Sequence, residues 1–273
     1  MSAQKDQKTP MLVESVLAQS QAGFTKIATR HQLVTWEEES QFALQAIKKN
    51  PKLQECAAYT VQDAIINIAA VGLTLNPAHQ FAYLVPEWNK TVGINECQLR
   101  ISAKGLCKIA TASGDIQWVA ADVVKKNDSF TFKGKWDLPI HEMDPFSTER
   151  GDTVGVYCVA RMRDGQYIVE TAPYTEVLKA KAAAKYDGVW NQWPDEMAKK
   201  FIIKRASKQW PKTDAHERMS TAVSIANEYE GSEKLIERLG ETAAAMIEAL
   251  HDENGVQEDV IMELYEELTE EEK

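Results

Sequence analysis

A proline-bounded stretch, residues 188–212, restricts the chain more than any other segment. It reads GVWNQWPDEMAKKFIIKRASKQWPK. Pro194 suits the first turn of a helix, where its missing N–H is not needed, and Pro211 requires the helix to have ended before it. Between the two prolines, apolar residues recur at helical spacing. The stretch therefore predicts a helix that begins at Pro194 and contributes one face to a buried core.

The opposite face of this predicted helix is basic. Lys200, Lys204 and Lys208 are four residues apart and form one stripe. Their ammonium groups repel one another, so an anionic partner would stabilise them. A solvated helix face is the ordinary explanation of such a run, but Trp190 and Phe201 are interleaved with the lysines. A polyanion that carries flat rings, namely a nucleic acid, would satisfy both features.

The chain is acidic on average, but its charge is unevenly distributed. The formal net charge is −10. Residues 219–273 contain 16 acidic and three basic residues, a net charge of −13, so residues 1–218 carry +3. Residues 174–218 contain ten Lys or Arg against six Asp or Glu. Because salt screens exposed charges beyond about 8–10 Å, a bound phosphate would respond to this local excess and not to the average.

The sequence lacks the motifs of several enzyme classes. Neither GxxxxGKS, GxxxxGKT nor GxGxxG is present, which disfavours an ATP-driven motor of the P-loop kind. The dispersed cysteines form no CxxC pair, and the five histidines supply no zinc-ligand spacing. We therefore expect buried, reduced thiols, no metal site and no cofactor required for catalysis.

Two alternatives to nucleic-acid binding without catalysis stay open. Asp195, Glu196 and Lys199 are the nearest approach to a metal-dependent nuclease site in the basic region. The acidic pair is more simply explained as favourable negative charge in the first turn of a helix. The second alternative is a non-catalytic interaction protein whose lysines are only solvated.

The hydrophobic period predicts helices at both ends of the chain and strands in the middle. Residues 11–50 follow a helical pattern, and a second helix is predicted at residues 60–70, with Gly72 as its stop. Strands are predicted at residues 81–85, 97–101, 117–125, 129–132, 153–162 and 166–171. Residues 163–165, Arg-Asp-Gly, form the clearest hairpin turn, and residues 141–144 are assigned to a loop. Further helices are predicted at residues 102–113, 174–186, 194–210 and 214–229.

Grouped strands flanked by helices predict the α+β class, with a small antiparallel sheet built from hairpins and an acidic helical appendage at the C-terminus. No segment approaches the roughly 18 consecutive apolar residues that a membrane helix needs. The polar N-terminus MSAQKDQKTP lacks the apolar core of a signal peptide. A cytoplasmic location is therefore expected.

Several segments between residues 72 and 211 match a known family: the run from Gly72 through Asn76-Pro77 to FAYLVP, QLRISAKGLCKIATASGDI, CVARMRDG, and the proline-bounded stretch. The most specific is the G-x-W-x-x-x-P-x-x-M spacing, here Gly188, Trp190, Pro194 and Met197. In these segments the chain resembles the phage single-strand annealing recombinases of the RecT and Redβ group.

The resemblance implies a protein without covalent chemistry that coats single-stranded DNA and pairs complementary strands without ATP. It implies a homo-oligomer, as a ring or helical filament, that also holds the annealed duplex intermediate. It further implies that the protein works beside a phage 5′-to-3′ exonuclease and contacts the host single-strand-binding protein. Mg²⁺ would promote annealing, and the protein would associate with the bacterial nucleoid.

The same resemblance divides the chain into three parts. Residues 1–30 would be a mobile or oligomer-contacting segment, residues 31–230 the core for DNA binding, annealing and oligomerisation, and residues 231–273 the acidic region that docks a partner. The charge of this last region is also explained by a solubilising appendage. The family's basic contacts fall on Arg161, Arg163, Lys181, Lys200 and Lys208. Neighbouring residues complete the predicted nucleic-acid-binding set: Lys90, Lys104, Lys108, Lys185, Trp190, Lys199, Phe201, Lys204 and Arg205.

Overall fold

The computed structural model describes residues 13–90, 92–184, 188–211 and 214–230. Residues 231–273, the predicted acidic appendage, lie outside these ranges. The helices of the described part are α1 (Val13–His31), α2 (Trp36–Lys49), α3 (Ala58–Val71), α4 (Ala103–Ala110), α5 (Tyr174–Ala183), α6 (Gly188–Gln192), α7 (Pro194–Ser207) and α8 (Asp214–Glu230). The strands are β1 (Ala82–Asn89), β2 (Ile94–Ile101), β3 (Ile116–Lys125), β4 (Ser129–Thr131), β5 (Ile140–Glu142), β6 (Thr153–Met162) and β7 (Tyr167–Pro173).

The α+β class is confirmed, because small antiparallel sheets lie among helices. Helix α7 begins at Pro194 and ends before Pro211, as the prolines require. The turn between β6 and β7 contains Gly165 at φ 90°, a conformation that favours glycine. Within the described ranges, no helix is both long and apolar enough to cross a bilayer.

The long helical pattern of residues 11–50 forms two helices, and a short 3₁₀ turn, Pro51–Glu55, follows them. The break between α1 and α2 includes Gln32, whose φ is 51°. The side chain of Thr35 then accepts a hydrogen bond from the Glu38 N–H and caps α2. Periodicity alone missed this break because Leu33 and Val34 continue the apolar content of the pattern across it.

The N-terminal half of the core is built around α3. This helix is buried along most of its length and contacts α1, β2 and α8. Gly72, at φ 65°, ends it in the left-handed conformation expected of a C-terminal stop. Phe24 of α1 is fully buried in the same core. Helix α1 therefore packs in this hydrophobic core.

The C-terminal half of the core is a three-stranded antiparallel sheet in the order β3-β6-β7. Its inner face carries Val123, Cys158 and Ile168, which pack in the main hydrophobic core. Helix α7 contacts all three strands, and α5 contacts β6 and β7. The strand β3 is one edge of this sheet, and its other neighbours are α4 and α7.

A two-stranded arm, β4 and β5 with the loop between them, lies against the outer face of the sheet. Residues 141–144 were predicted as a loop, but His141 and Glu142 belong to β5, which pairs with β4. The prediction failed because strands of three residues are too short to show an alternating pattern. Tyr157 of β6 anchors the arm: its ring centroid lies 5.2 Å from that of Phe130, and its hydroxyl oxygen lies 3.1 Å from His141 Nδ1.

A buried carboxylate fixes the base of this arm. The Asp128 side chain is 1% exposed and accepts two hydrogen bonds from the Arg150 guanidinium, at 2.8 and 2.7 Å. His141 Nε2 lies 3.1 Å from the same carboxylate. The bonds from Arg150 are the main reason that the pKa of Asp128 lies well below the ordinary carboxyl range. The arm is therefore held by this charged network as well as by the aromatic contact with Tyr157.

All four cysteines are free thiols. Cys56, Cys97 and Cys158 are buried, and Cys107 is half-buried. Burial raises the pKa of Cys56 and of Cys107 to about 11, and it raises the pKa values of Cys97 and Cys158 further. The thiolate form is therefore scarce at neutral pH.

Replacing Arg150 by Ala should lower the free energy of unfolding by about 2 kcal/mol at pH 7, because Asp128 stays buried without its main partner. A carboxyl whose pKa is depressed by folding stabilises the fold above its unfolded pKa of about 4, and this contribution is lost as the pH falls through the folded pKa. The difference between the two proteins should therefore shrink below about pH 4. Urea unfolding at pH 7 and pH 3 measures both effects.

Arg30→Ala provides the matched control. Arg30 Nη2 lies 3.6 Å from Glu217 Oε2, and both side chains are largely exposed, so its removal should change stability by less than about 1 kcal/mol. Equal losses in the two variants would contradict a special role for the Asp128 network.

Candidate nucleic-acid interface

A groove of about 490 Å³ opens between α4, β3 and α7, which are distant in sequence. Three lysines and one carboxylate give its lining a positive excess: Lys104, Lys108, Lys199 and Glu196. Two aromatic residues also line it, Phe81 before β1 and Trp118 on β3. The groove thus combines cationic groups with flat rings, the two features that proteins use to bind single-stranded nucleic acid.

Helix α4 presents Lys104 and Lys108 one turn apart on the groove. The Ser102 hydroxyl oxygen accepts a hydrogen bond from the Gly105 N–H at 3.0 Å and caps the helix. A Cβ at Gly105 would lie well inside van der Waals contact of the Phe81 carbonyl oxygen, so only glycine permits this close approach to the start of β1. Lys104 Nζ donates to Gln80 Oε1 at 2.9 Å. These contacts fix the lysine wall relative to the aromatic residue Phe81.

Helix α7 presents Lys199 to the groove instead of the predicted stripe. Lys199 Nζ lies 2.5 Å from Glu196 Oε1, and both residues line the groove. Lys204 is five residues further on, about 140° around the helix, and its Nζ donates to Asn227 Oδ1 of α8 at 3.1 Å. Lys200, Lys204 and Lys208 are therefore not in the lining, and their contact with nucleic acid stays a prediction.

Arg205 has a structural role that argues against its assignment to nucleic acid. Its Nε donates to Glu170 Oε1 at 2.7 Å, and its Nη1 donates to Glu176. The hydrogen bond with Glu170 is the main reason that the pKa of Arg205 is raised. Because the Glu170 side chain is only 8% exposed, the pair links α7 to β7 within the protein.

The two aromatic residues of the proline-bounded stretch that were predicted to bind bases pack inward. Trp190 is 5% exposed and belongs to the hydrophobic core. Phe201 is half-buried and packs against the same core. Their rings fill the space beside α7, so the spacing that identified this segment reflects core packing as well as any function.

The remaining predicted residues that the structure describes are not part of the groove lining. Lys90 follows the far end of β1, roughly 26–30 Å along an extended strand from Phe81. Lys181 is in the last turn of α5, and Lys185 lies outside the described residues. Arg161 is on β6, opposite Trp118 of β3. The Arg163 N–H donates to the Asp115 carbonyl at 2.8 Å, so its turn lies beside the start of β3.

The carboxylates proposed for the nuclease alternative already have cationic partners. Asp195 Oδ2 lies 3.4 Å from Lys125 Nζ, and Glu196 is paired with Lys199. Both are in the first turn of α7, where negative charge favours the helix. Among the residues that the structure describes, no group of three or more His, Cys, Asp or Glu side chains could hold a metal ion.

Trp118 and Phe81 were not predicted as site residues, although both fall in predicted strands. The Trp118 side chain is 37% exposed, so part of its indole is accessible to a ligand. The feature that could have identified Trp118 is an aromatic residue on an edge strand. Hydrophobic alternation does not give the order of the strands, so the sequence did not show that β3 is an edge. The facing helices α4 and α7 lie about 90 residues apart in the chain, so their convergence was also hidden.

A family model described as the RecT family matches residues 37–238. The chain belongs to the RecT family. It is also similar to Protein RecT of Escherichia coli (strain K12), with 34% identity over 183 residues that cover 65% of this chain and 67% of that protein. Membership of the RecT family supports DNA binding, single-strand annealing and recombination as the general function.

If the groove is where this RecT-family chain binds DNA, Lys104→Ala/Lys108→Ala should weaken binding to an oligonucleotide and reduce the salt slope by about 1.4, since each single-strand phosphate contact contributes about 0.7. Fluorescence anisotropy between 50 and 200 mM salt measures both quantities. Lys204→Ala/Lys208→Ala tests the predicted stripe in the same way.

Lys48→Ala/Lys52→Ala is the matched control, because it removes the same charge from exposed lysines outside the groove lining. A salt slope for the groove variant equal to that of this control would contradict the groove assignment.

Proposed function

We propose that this chain binds single-stranded DNA and anneals complementary strands without ATP, as a homo-oligomeric ring or filament, in phage-type homologous recombination in the bacterial cytoplasm, close to the nucleoid. The observation that supports it best is the convergence of Lys104, Lys108 and Lys199 beside Trp118 in one groove. Membership of the RecT family supports the same general function.

Annealing requires two properties of a binding surface. Cationic groups must offset the repulsion between two phosphate backbones, and the bases of the bound strand must stay accessible to a second strand. The groove lysines are point charges on flexible stems, which contact phosphates without reading sequence. Base pairing then selects the partner strand, so the protein needs no base-specific side chain. The surface that results would hold the annealed duplex as well as one strand.

The proposed annealing reaction requires no ATP. The sequence contains no P-loop motif, and strand pairing releases free energy by itself. We propose that Mg²⁺ promotes annealing by screening phosphate charge. No cofactor is assigned to a covalent step, because the protein would make and break no covalent bond.

The two alternatives predict different contacts. A metal-dependent nuclease would need Asp195 and Glu196 free to bind metal, whereas both are paired with lysines, at 3.4 and 2.5 Å. An interaction protein with no DNA role would have no need for a groove that combines three lysines with two aromatic residues. The annealing function therefore accounts for more of the surface than either alternative.

Annealing of two complementary oligonucleotides, one end-labelled, tests the proposal directly. The protein should accelerate duplex formation without ATP, and faster with Mg²⁺, while a denaturing gel of the same samples shows unchanged strand lengths. Acceleration that required ATP would contradict the proposal. Shortened strands would favour the nuclease alternative, provided that Asp195→Asn/Glu196→Gln abolished the shortening.

We further propose that the acidic C-terminal region docks the phage 5′-to-3′ exonuclease and the host single-strand-binding protein. Residues 231–273 contain 14 acidic and three basic residues. A segment of this charge would be repelled by DNA, so a protein partner suits it better than a nucleic acid. The acidic excess would also keep the segment out of the DNA-binding groove of a loaded subunit.

Removal of residues 232–273 should leave annealing within about twofold of the full chain and abolish binding to the exonuclease in a pull-down with purified proteins. The reason is that the groove residues all lie in the part that is retained. Loss of annealing together with exonuclease binding would contradict a separable docking region, and retention of both would assign the exonuclease to another surface.

A further inference from the structure

A row of three side chains crosses the end of the three-stranded sheet. Trp118 of β3 is paired in register with Arg161 of β6, and Arg161 is paired with Tyr167 of β7. The Trp118 and Tyr167 ring centroids are 6.3 Å apart, and their planes are inclined by 57°. Residues paired in register on neighbouring strands point to the same face of a sheet, so the three side chains form one continuous row on the outer face.

Trp118 connects this row to the groove. Its strand is the edge of the sheet, and the residue itself lines the groove together with Lys104 and Lys108 of the facing helix. The contact with Tyr167 holds one part of the indole, while 37% of the side chain stays exposed. A ring that is oriented by a neighbour and still open on one side loses little conformational entropy when a second ring stacks on it.

Arg161 lies between Trp118 and Tyr167 in the register of the sheet. Its Nε is buried and has no hydrogen-bond partner in the described part of the chain. Because this atom is shielded from solvent, Arg161 adds positive charge beside the indole without presenting its Nε–H to a bound strand. The row therefore places a cation beside the flat ring of Trp118, which suits an anionic strand that carries flat bases.

We infer that Trp118 stacks on a nucleobase of the strand bound in the groove. This inference rests on the proposed function, since it presumes that the groove binds DNA. It assigns a base contact to Trp118, whereas the lysines of the same groove would contact phosphates. Stacking occupies the face of the base and leaves its pairing edge free, so a base held in this way stays available to a second strand.

Two oligonucleotides of equal length and charge separate base stacking from phosphate binding. One is oligothymidylate, and the other is an abasic sugar-phosphate chain. Trp118→Ala should weaken binding of oligothymidylate about tenfold, the size expected for loss of one stacked base, and leave binding of the abasic chain within twofold. Trp118→Phe should keep most of the affinity. Lys104→Ala/Lys108→Ala should weaken binding of both chains, because they carry the same phosphates.

These measurements distinguish failure of base stacking by Trp118 from failure of DNA binding by the protein. Equal losses on both chains in Trp118→Ala would assign Trp118 a purely structural role and overturn the inference, as would no loss on either. The proposed function would survive both results. It would fail if the wild-type protein bound neither chain, and the inference would fail with it.

Photocrosslinking provides a second readout that needs no substitution at Trp118. An oligonucleotide that carries 5-iododeoxyuridine forms a covalent bond with an aromatic ring stacked on the base when it is irradiated. Trypsin releases Trp118 in the peptide of residues 109–125, IATASGDIQWVAADVVK. Mass spectrometry should find the crosslink on Trp118 in this peptide. A crosslink confined to other peptides would overturn the inference even if Trp118→Ala failed to fold.

Discussion

The packing of α7 against the inner face of the β3-β6-β7 sheet is the contact on which the rest of the structure depends. Ala198, Ile202 and Ala206 form a buried ridge on this helix, and small residues at two of the three positions let it lie close to the strands. Arg205 reinforces the contact through its hydrogen bonds to β7 and α5. With α7 fixed in this way, Lys199 and Glu196 face α4 across a defined space. The groove is therefore a product of core packing.

This arrangement explains how an acidic chain can bind a polyanion. The formal charge of −10 is dominated by the C-terminal region, whereas the groove carries three lysines against one carboxylate. Phosphate contacts form within a few ångströms, and exposed charges further away than about 10 Å are screened. Local charge can therefore differ in sign from the average, and overall composition is a poor guide to the partner of a chain whose charges are segregated.

The sequence was sufficient for those features that depend on neighbouring residues. Pro194 and the glycine of the β6–β7 turn are local signals, and the structure has the helix and the hairpin where they were predicted. Which lysine lines the groove depends on how α7 is rotated against the sheet, and Trp118 becomes a groove residue only because β3 is an edge strand. Both facts follow from packing between distant segments. The resemblance to a family indicated the general function, but Trp190, one of the residues that carry the resemblance, packs in the hydrophobic core.

The buried thiols have a practical consequence for following this protein in motion. Maleimide dyes react with the thiolate, and the raised pKa values of Cys56, Cys97, Cys107 and Cys158 keep that form rare near pH 7. A cysteine introduced at an exposed position would react far faster than these four. Single-molecule fluorescence could therefore use a dye at one chosen position while the native core remains intact.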